Sequence, residues 1–439
     1  MRILFVVAPF AGHVLPLVPL AWAARVAGHD TLFAVYGKAT PFVVRAGLAA
    51  VEVVEAADLM SDVHEDSLSD IWPHVQGNLL SDFWRGLFFD ARERGAPQAG
   101  MISPSSSCHV DTKMLVKREE WGSVRDLFGT FGVDELINPA ALFFGYLSEL
   151  AIDPIIRVAE GWGAEAVVYE PCMVAGLVAA KVVGIPAFCH GFGVWHPWPI
   201  PAVSAMIESR KRYGLTDITW EPMADIDVCP ESIRPSRLNL GWSMRYTPYN
   251  NEAVLPAWLL GSPSRRPRVC VTVGTIISDV GRMGPLDAII DALSECDVDV
   301  IVLGAEGAMR KPLSNNIRST GWLPLNAVLP TCSAIIHHGG SGTTFTALAA
   351  GVPQLVIPQF ADQPVNAAAV ASRGVGIHLP ESAADPASVR DLLSRLLDDR
   401  AISQAATEVR EEIAAMPPPS EIVERLTTAA SIHLGLKRS

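Results

Sequence analysis

The chain has 439 residues, 49% of them hydrophobic, which exceeds the usual span of one domain and is ample for two buried cores. Its net charge of −13 speaks against a general binder of nucleic acid or of anionic membranes, because phosphate backbones and headgroups attract Lys and Arg. The seven cysteines form no C-x-x-C pair and no recurrent spacing, so neither a zinc knuckle nor a disulfide framework is indicated, and reduced thiols in a cytoplasmic protein are expected.

The opening MRILFVVAPFAGHVLPLVPLAWAARVAGHD is apolar enough to imitate a secretory signal, but it carries internal breaks. RILFVVAP fits a fully buried strand, FAGH a glycine-containing turn, and Pro16 to Ala27 a helix that Gly28 can close. HDTLFAVYG then supplies a second strand, and Pro16, Pro19 and Arg25 argue against a membrane span. From about Ala57 to Pro139 the chain is irregular, with an acidic SDVHEDSLSD and a Gly/Ser/Pro passage, and is expected to be a mobile, partly helical surface near a site. AEAVVYE, PCMVAGLVAAKVVG and IPAFCHG repeat the order strand, helix, strand.

Prolines at 222, 230, 235, 248 and 256 mark a linker between domains. Beyond it RVCVTVG, PLDAIIDALSEC, DVDVIVLG, LNAVLPTC and AIIHH alternate strand and helix again. The fold class expected is therefore α/β, with two doubly wound, Rossmann-like domains facing across a cleft. The boundaries read as 1–235 for the first domain, 236–262 for the linker, 263–418 for the second domain and 419–439 for a last helix. That helix follows three prolines, takes Ser420 as its N-cap, and carries Ile422, Val423, Leu426, Ala430 and Leu434 near helical spacing.

One corner of the second domain calls for a chemical reading. AIIHH ends a strand, GGSG is a turn, and TTFTALAAG is a helix. Free backbone N–H groups and the positive end of the helix dipole converge beside the glycines, which let an anion approach, so the corner suits a phosphate. Ser341, Thr343 and Thr344 add hydroxyls. The two histidines alternate across the strand, so one of them should face the anion.

The stretch GWLPLNAVLPTCSAIIHHGGSGTTFTALAAGVPQLVIPQFADQPVNA, supported by the N-terminal strand and helix, MRYTPYNNEAVLPAWL and VCVTVGT, resembles the nucleotide-sugar-dependent family-1 glycosyltransferases of the GT-B fold. The likeness is to the bacterial enzymes that attach sugars to antibiotics. The resemblance implies that His338 meets the donor diphosphate, with Gly340, Ser341, Gly342 and Thr343 around it and Gly274 and Thr275 on a facing loop. It implies Trp322, with Leu323 beside it, at the pyrimidine ring, and Asp362 and Gln363 at the sugar hydroxyls. His13 becomes the catalytic base and Glu170 its orienting carboxylate, with Asp66 or Asp111 as substitutes. The last helix would cross back onto the first domain.

Plant relatives that use UDP-sugars carry Gln and Glu on the ribose where this chain has Leu325 and Thr346. A dTDP-sugar, with a deoxysugar, is therefore expected over a UDP-sugar as co-substrate, with no cofactor. The reaction implied is an inverting displacement. The D-x-D patterns at 225–227 and 297–299 are weak signals for a divalent ion, and no metal is expected. Phe192, Trp195 and Trp198 after one strand, and Phe83 and Trp84 in the irregular region, are the candidates to line an apolar acceptor pocket for an aglycone such as a polyketide. Two other readings stay open on residues alone: a nucleotide-sugar epimerase of the same architecture and a non-catalytic binding relative. Nucleic acid and stable membrane insertion are not expected among the partners, and a homodimer or an auxiliary activator protein is left open.

Overall fold

The computed structural model describes residues 1–54, 134–194, 207–215, 221–234, 241–259, 265–274, 285–304, 313–359 and 361–438. The first sheet comprises β1 (Arg2–Val6), β2 (Asp30–Tyr36), β3 (Ala50–Val54), β4 (Ala166–Tyr169), β5 (Ala187–His190), β6 (Ala224–Asp227) and β7 (Trp242–Ser243), ordered β3-β2-β1-β4-β5-β6-β7. The second comprises β8 (Arg268–Thr272), β9 (Asp299–Leu303), β10 (Ile317–Thr320), β11 (Ala334–His337), β12 (Gln354–Val356) and β13 (Gly376–His378), ordered β10-β9-β8-β11-β12-β13. Every pairing is parallel. Helices cover both faces, which is why central strands such as Ile3–Val6 and Ala334–Ile336 read as unbroken apolar runs and are buried throughout.

Strand order reverses between β1 and β4 in one sheet and between β8 and β11 in the other. In open α/β sheets ligands bind beyond the carboxyl ends of the strands at such points. His13 and Glu170 follow β1 and β4, while Gly274 and His338 follow β8 and β11. Topology thus assembles two corners from segments far apart in sequence.

Three local details differ from the sequence expectation. FAGH is not a free turn: Ala11–Val14 is helical and runs through a 3-10 turn, Leu15–Leu17, into the helix Val18–Val26. Pro16 and Pro19 fall at first-turn positions, where a missing N–H leaves no bond unmade, so they do not delay the helix. Trp242–Ser243, inside the stretch read as linker, pairs with β6 and extends the first sheet. The last helix, Pro419–Arg438, starts on its proline, so Ser420 lies in its first turn instead of capping it.

Ile422, Val423, Leu426 and Ala430 of that helix are buried in one apolar cluster with Val18 and Ala21 of the first domain and Phe345 and Leu348 of the second. The helix therefore fastens both halves. Of the irregular region, 55–133 lies outside the described residues, and its end forms the start of the helix Asp134–Trp162.

Candidate functional site

At the first corner the helical turn after β1 carries His13, and the residue ending β4 is followed at once by Glu170, which is 0% exposed. A buried carboxylate needs donors to replace lost water. Glu170 has them: Oε1 accepts from the Ala8 amide at 3.1 Å and Oε2 from the Cys172 amide at 2.8 Å. Oε2 also lies 3.2 Å from His13 Nδ1, an ion-pair distance without the alignment of a hydrogen bond. From the end of β4 the Glu170 side chain thus reaches the histidine. Rings of Phe10, Phe144 and Phe192 surround the imidazole, with centroids 5.5, 5.5 and 4.8 Å from it.

Phe192 was expected to line an acceptor pocket; it is only 6% exposed and packs on His13. Cys172, two residues beyond Glu170, was not expected at the site. Its buried thiol is pushed well above the usual range by burial, with the Glu170 charge adding to the effect. His13, Glu170 and Cys172 are the one group among the described residues whose donor atoms could converge on a metal ion. Both carboxylate oxygens of that group already accept from backbone amides.

At the second corner the two histidines divide as strand alternation requires. His337 is buried in the sheet, Nε2 donating to Gln354 Oε1 at 2.9 Å and Nδ1 accepting from the Gly339 amide at 3.0 Å. Burial pushes its pKa down to about 3. His338 is half-buried and sits between two glycines: a Cβ on Gly274 would collide with its ring, and one on Gly340 would stand 2.5 Å from Nε2. Those glycines seat the imidazole, and Nε2 faces the start of the helix Ser341–Ala350. Its pKa falls to about 4, chiefly because water is displaced, although the Asp362 charge and the Thr272 backbone act in the opposite direction.

Asp362 and Gln363, expected at sugar hydroxyls, are engaged within the protein. Asp362 Oδ2 accepts from the Ser341 amide at 3.1 Å, the Ser341 hydroxyl at 2.6 Å and Asn366 Nδ2 at 2.9 Å. It therefore caps the helix that a phosphate would meet. Asn366, one helical turn after Asp362, was missed, though its spacing of four residues was the available signal. Gln363 Oε1 accepts from the Gln359 amide at 2.8 Å. Gly342 and Thr343 are half-buried in the first turn of the helix. Trp322 is 43% exposed, and its Nε1 donates to the Asn250 carbonyl at 3.0 Å. The Leu323 side chain is buried in core beside Leu325 and Val328, so contact with a ligand there falls to its backbone.

The corners meet through the loop after β5, where a Cβ on Gly193 would run into the Ser341 hydroxyl. Phe192 thus touches His13 while the next residue touches the phosphate-facing helix. Neither D-x-D pattern is a free acidic pair: Asp297 bonds Arg266 at 2.7 Å ahead of β9, and Asp227 bonds Arg234 at 2.6 Å. Thr275, Phe83, Trp84, Trp195, Trp198, Asp66 and Asp111 lie outside the described residues. Among the described residues no helix is long and apolar enough to cross a membrane.

Residues 130–274 match the N-terminal domain, and 287–429 the C-terminal domain, described as those of erythromycin biosynthesis protein CIII-like proteins. The elloramycin glycosyltransferase ElmGT of Streptomyces olivaceus is 34% identical over 98% of this chain and 97% of its own length. The L-demethylnoviosyl transferase of Streptomyces niveus is 31% identical over 97% of each. Among solved structures, the glycosyltransferase SnogD from Streptomyces nogalater superposes with a TM-score of 0.70 at 30% identity, over 98% of this chain and 99% of that one. SsfS6 from Streptomyces sp. SF2575, complexed with thymidine diphosphate, gives 0.71 at 26% identity with the same coverage. The two parallel-sheet domains of this chain form the GT-B fold that such neighbours share.

Proposed function

The chain belongs to the erythromycin biosynthesis protein CIII-like family and is a glycosyltransferase of antibiotic biosynthesis acting on natural-product aglycones; from that premise we propose that it moves a deoxysugar from a dTDP-sugar to a hydroxyl of an apolar aglycone, with inversion at the anomeric carbon. The observation that carries this reading is the contact of His13 with a fully buried carboxylate, opposite a seated histidine at a helix N-terminus.

Each half has one task. Glu170 holds the His13 ring through Nδ1, leaving Nε2 to take the proton from the acceptor hydroxyl. The hydroxyl oxygen bonds the anomeric carbon as the bond from that carbon to the diphosphate oxygen breaks, and dTDP departs with the electron pair. His338 Nε2 and the amides at Gly340–Thr343 meet the charge that gathers on the diphosphate. No step calls for a metal ion, since the helix N-terminus and an imidazole meet that charge. For the diphosphate to enter, Asp362 has to give up the Ser341 amide, which frees its carboxylate for sugar hydroxyls.

Support for a thymidine nucleotide comes from the ribose side. Leu325 is buried in core, and the Thr346 hydroxyl already donates to the Gly342 carbonyl at 2.6 Å. Leu325 has no polar side-chain atom and Thr346 is 0% exposed, so neither side chain presents an acceptor to a ribose 2′-hydroxyl. The thymidine diphosphate complex of SsfS6 agrees with that choice for a relative. The test is a product screen in EDTA, pairing dTDP-deoxysugars with aromatic and macrolide aglycones and reading anomeric configuration by NMR. Product of inverted configuration is expected. Retention, or transfer from UDP-sugars alone, overturns the reading.

A further inference from the structure

Asn250 lies in the segment between the domains, and the motif carrying it, YTPYNNE, has no part in the chemistry above. Its three polar groups nevertheless reach three separate elements of the second domain. The backbone carbonyl accepts from Trp322 Nε1 at 3.0 Å, Oδ1 accepts from the Asn326 amide at 3.0 Å, and Nδ2 donates to the Thr346 hydroxyl at 3.2 Å. Asn251 takes a φ of 61°, a left-handed conformation that Asn tolerates better than most side chains, and the chain turns there. Nearby, the Tyr246 hydroxyl donates to the Gly342 carbonyl at 3.3 Å, so the segment is pinned to the phosphate helix a second time.

The geometry points to Asn250 as the positioning and specificity residue for the nucleoside half of the donor; the inference rests on the donor reading given above. A nucleoside diphosphate spans from the base platform to the phosphate helix, and its affinity depends on how far apart and at what rotation those two are held. Anchoring Nε1 sets the rotation of the half-exposed Trp322 ring, and the amide side chain sets its distance from Thr346. The same amide engages the fully buried Thr346 hydroxyl, which donates to Gly342 and accepts from Asn250. A ribose 2′-hydroxyl would find that group occupied, whereas a deoxyribose asks nothing of it.

Calorimetry with dTDP, UDP and inorganic pyrophosphate on the full chain separates the outcomes. Asn250→Ala removes both side-chain hydrogen bonds, to Asn326 and Thr346, while the backbone carbonyl stays on Trp322; it should weaken dTDP about tenfold and leave pyrophosphate unchanged. Asn250→Asp keeps Oδ1 for Asn326 but turns the donor at Thr346 into an acceptor, so the dTDP-to-UDP affinity ratio should fall by about tenfold even if the alanine variant folds poorly. Equal weakening of dTDP and pyrophosphate would mean a structural role only, and unchanged dTDP affinity with an unchanged ratio overturns the assignment. Failure of the wild-type chain to prefer dTDP over UDP is a different result, which overturns the donor reading itself.

Discussion

His13 and His338 each follow a central strand at a point where strand order reverses, yet their surroundings are opposite. His13 stands against a carboxylate with no exposure and inside a ring of phenylalanines, so on the proposed mechanism the proton it takes arrives beside a fixed anion. His338 stands among glycines and backbone amides, its pKa pushed down to about 4, and the carboxylate that acts on it, Asp362, doubles as a helix cap. On the proposed mechanism the same side chain serves as a base where the protein supplies the anion and as an anion receptor where the ligand supplies it.

Breaking the first corner should cost most. His13→Ala is expected to lower turnover by roughly 10²–10⁴-fold, the range a positioned general base contributes, with dTDP affinity nearly unchanged. Glu170→Gln should follow with a smaller loss of turnover. It also puts an NH2 where an oxygen now accepts an amide, so some stability should go with it. Turnover and calorimetry measured separately check this, and near-normal turnover of His13→Ala sinks the mechanism.

Breaking the second corner should move the other quantity. His338→Ala removes one charge-assisted contact and should weaken dTDP by roughly 1.5–3 kcal/mol, about 10- to 150-fold. An unchanged dissociation constant would take His338 out of the phosphate site.

The link between corners gives a smaller effect of a different kind. Gly193→Ala places a methyl in the Ser341 hydroxyl and should part the halves slightly, lowering turnover about tenfold while the donor still binds the second domain. Adding Ser341→Gly removes the obstacle, so the double variant should turn over faster at saturating donor than Gly193→Ala. Simple addition of the two losses would show that Gly193 does not mediate the approach.

The second corner was the more legible of the two in sequence, and the reason is distance along the chain. From Ala334 to Gln363 the strand, glycine turn, helix and acid are contiguous, so periodicity and turn chemistry locate the anion corner and Ser341, and the family resemblance singles out His338 and Asp362 within it. What that reading could not give was the partner of Asp362, because a helix N-terminus attracts any carboxylate that the fold brings within reach. The first corner joins residues 157 positions apart, and only the doubly wound order of strands brings Glu170 to His13. For Phe192 the sequence could not name the neighbour, since an aromatic after a strand gives no sign that it will pack on His13. Asn250 was missed for a related reason: its role is set by three elements that follow it by 72, 76 and 96 residues.

The finest difference among the histidines is one of pH. His190 and His337 are buried, and burial lowers their pKa values from 6.5 to about 4 and about 3. Below pH 6.5 the unfolded chain takes up these protons while the folded chain does not, so the unfolded state binds more protons and stability rises with pH in that window. The contribution is fully present above pH 6.5 and is lost as the pH falls toward about 4, by at most about 1.4 kcal/mol per histidine per pH unit. Replacing His190 with Phe should flatten the dependence of unfolding free energy on pH between 5 and 6 by one histidine's share. The slope is the readout, since the absolute stability also changes with packing. Calorimetric dTDP affinity should be unaffected, which separates this group from His338. There, an arriving diphosphate favours the imidazolium, so binding near pH 5.5 should draw a proton from the buffer, seen as a binding heat that varies with the buffer's ionisation heat. An unchanged slope in the His190 variant would mean that His190 carries no proton-linked share of folding stability.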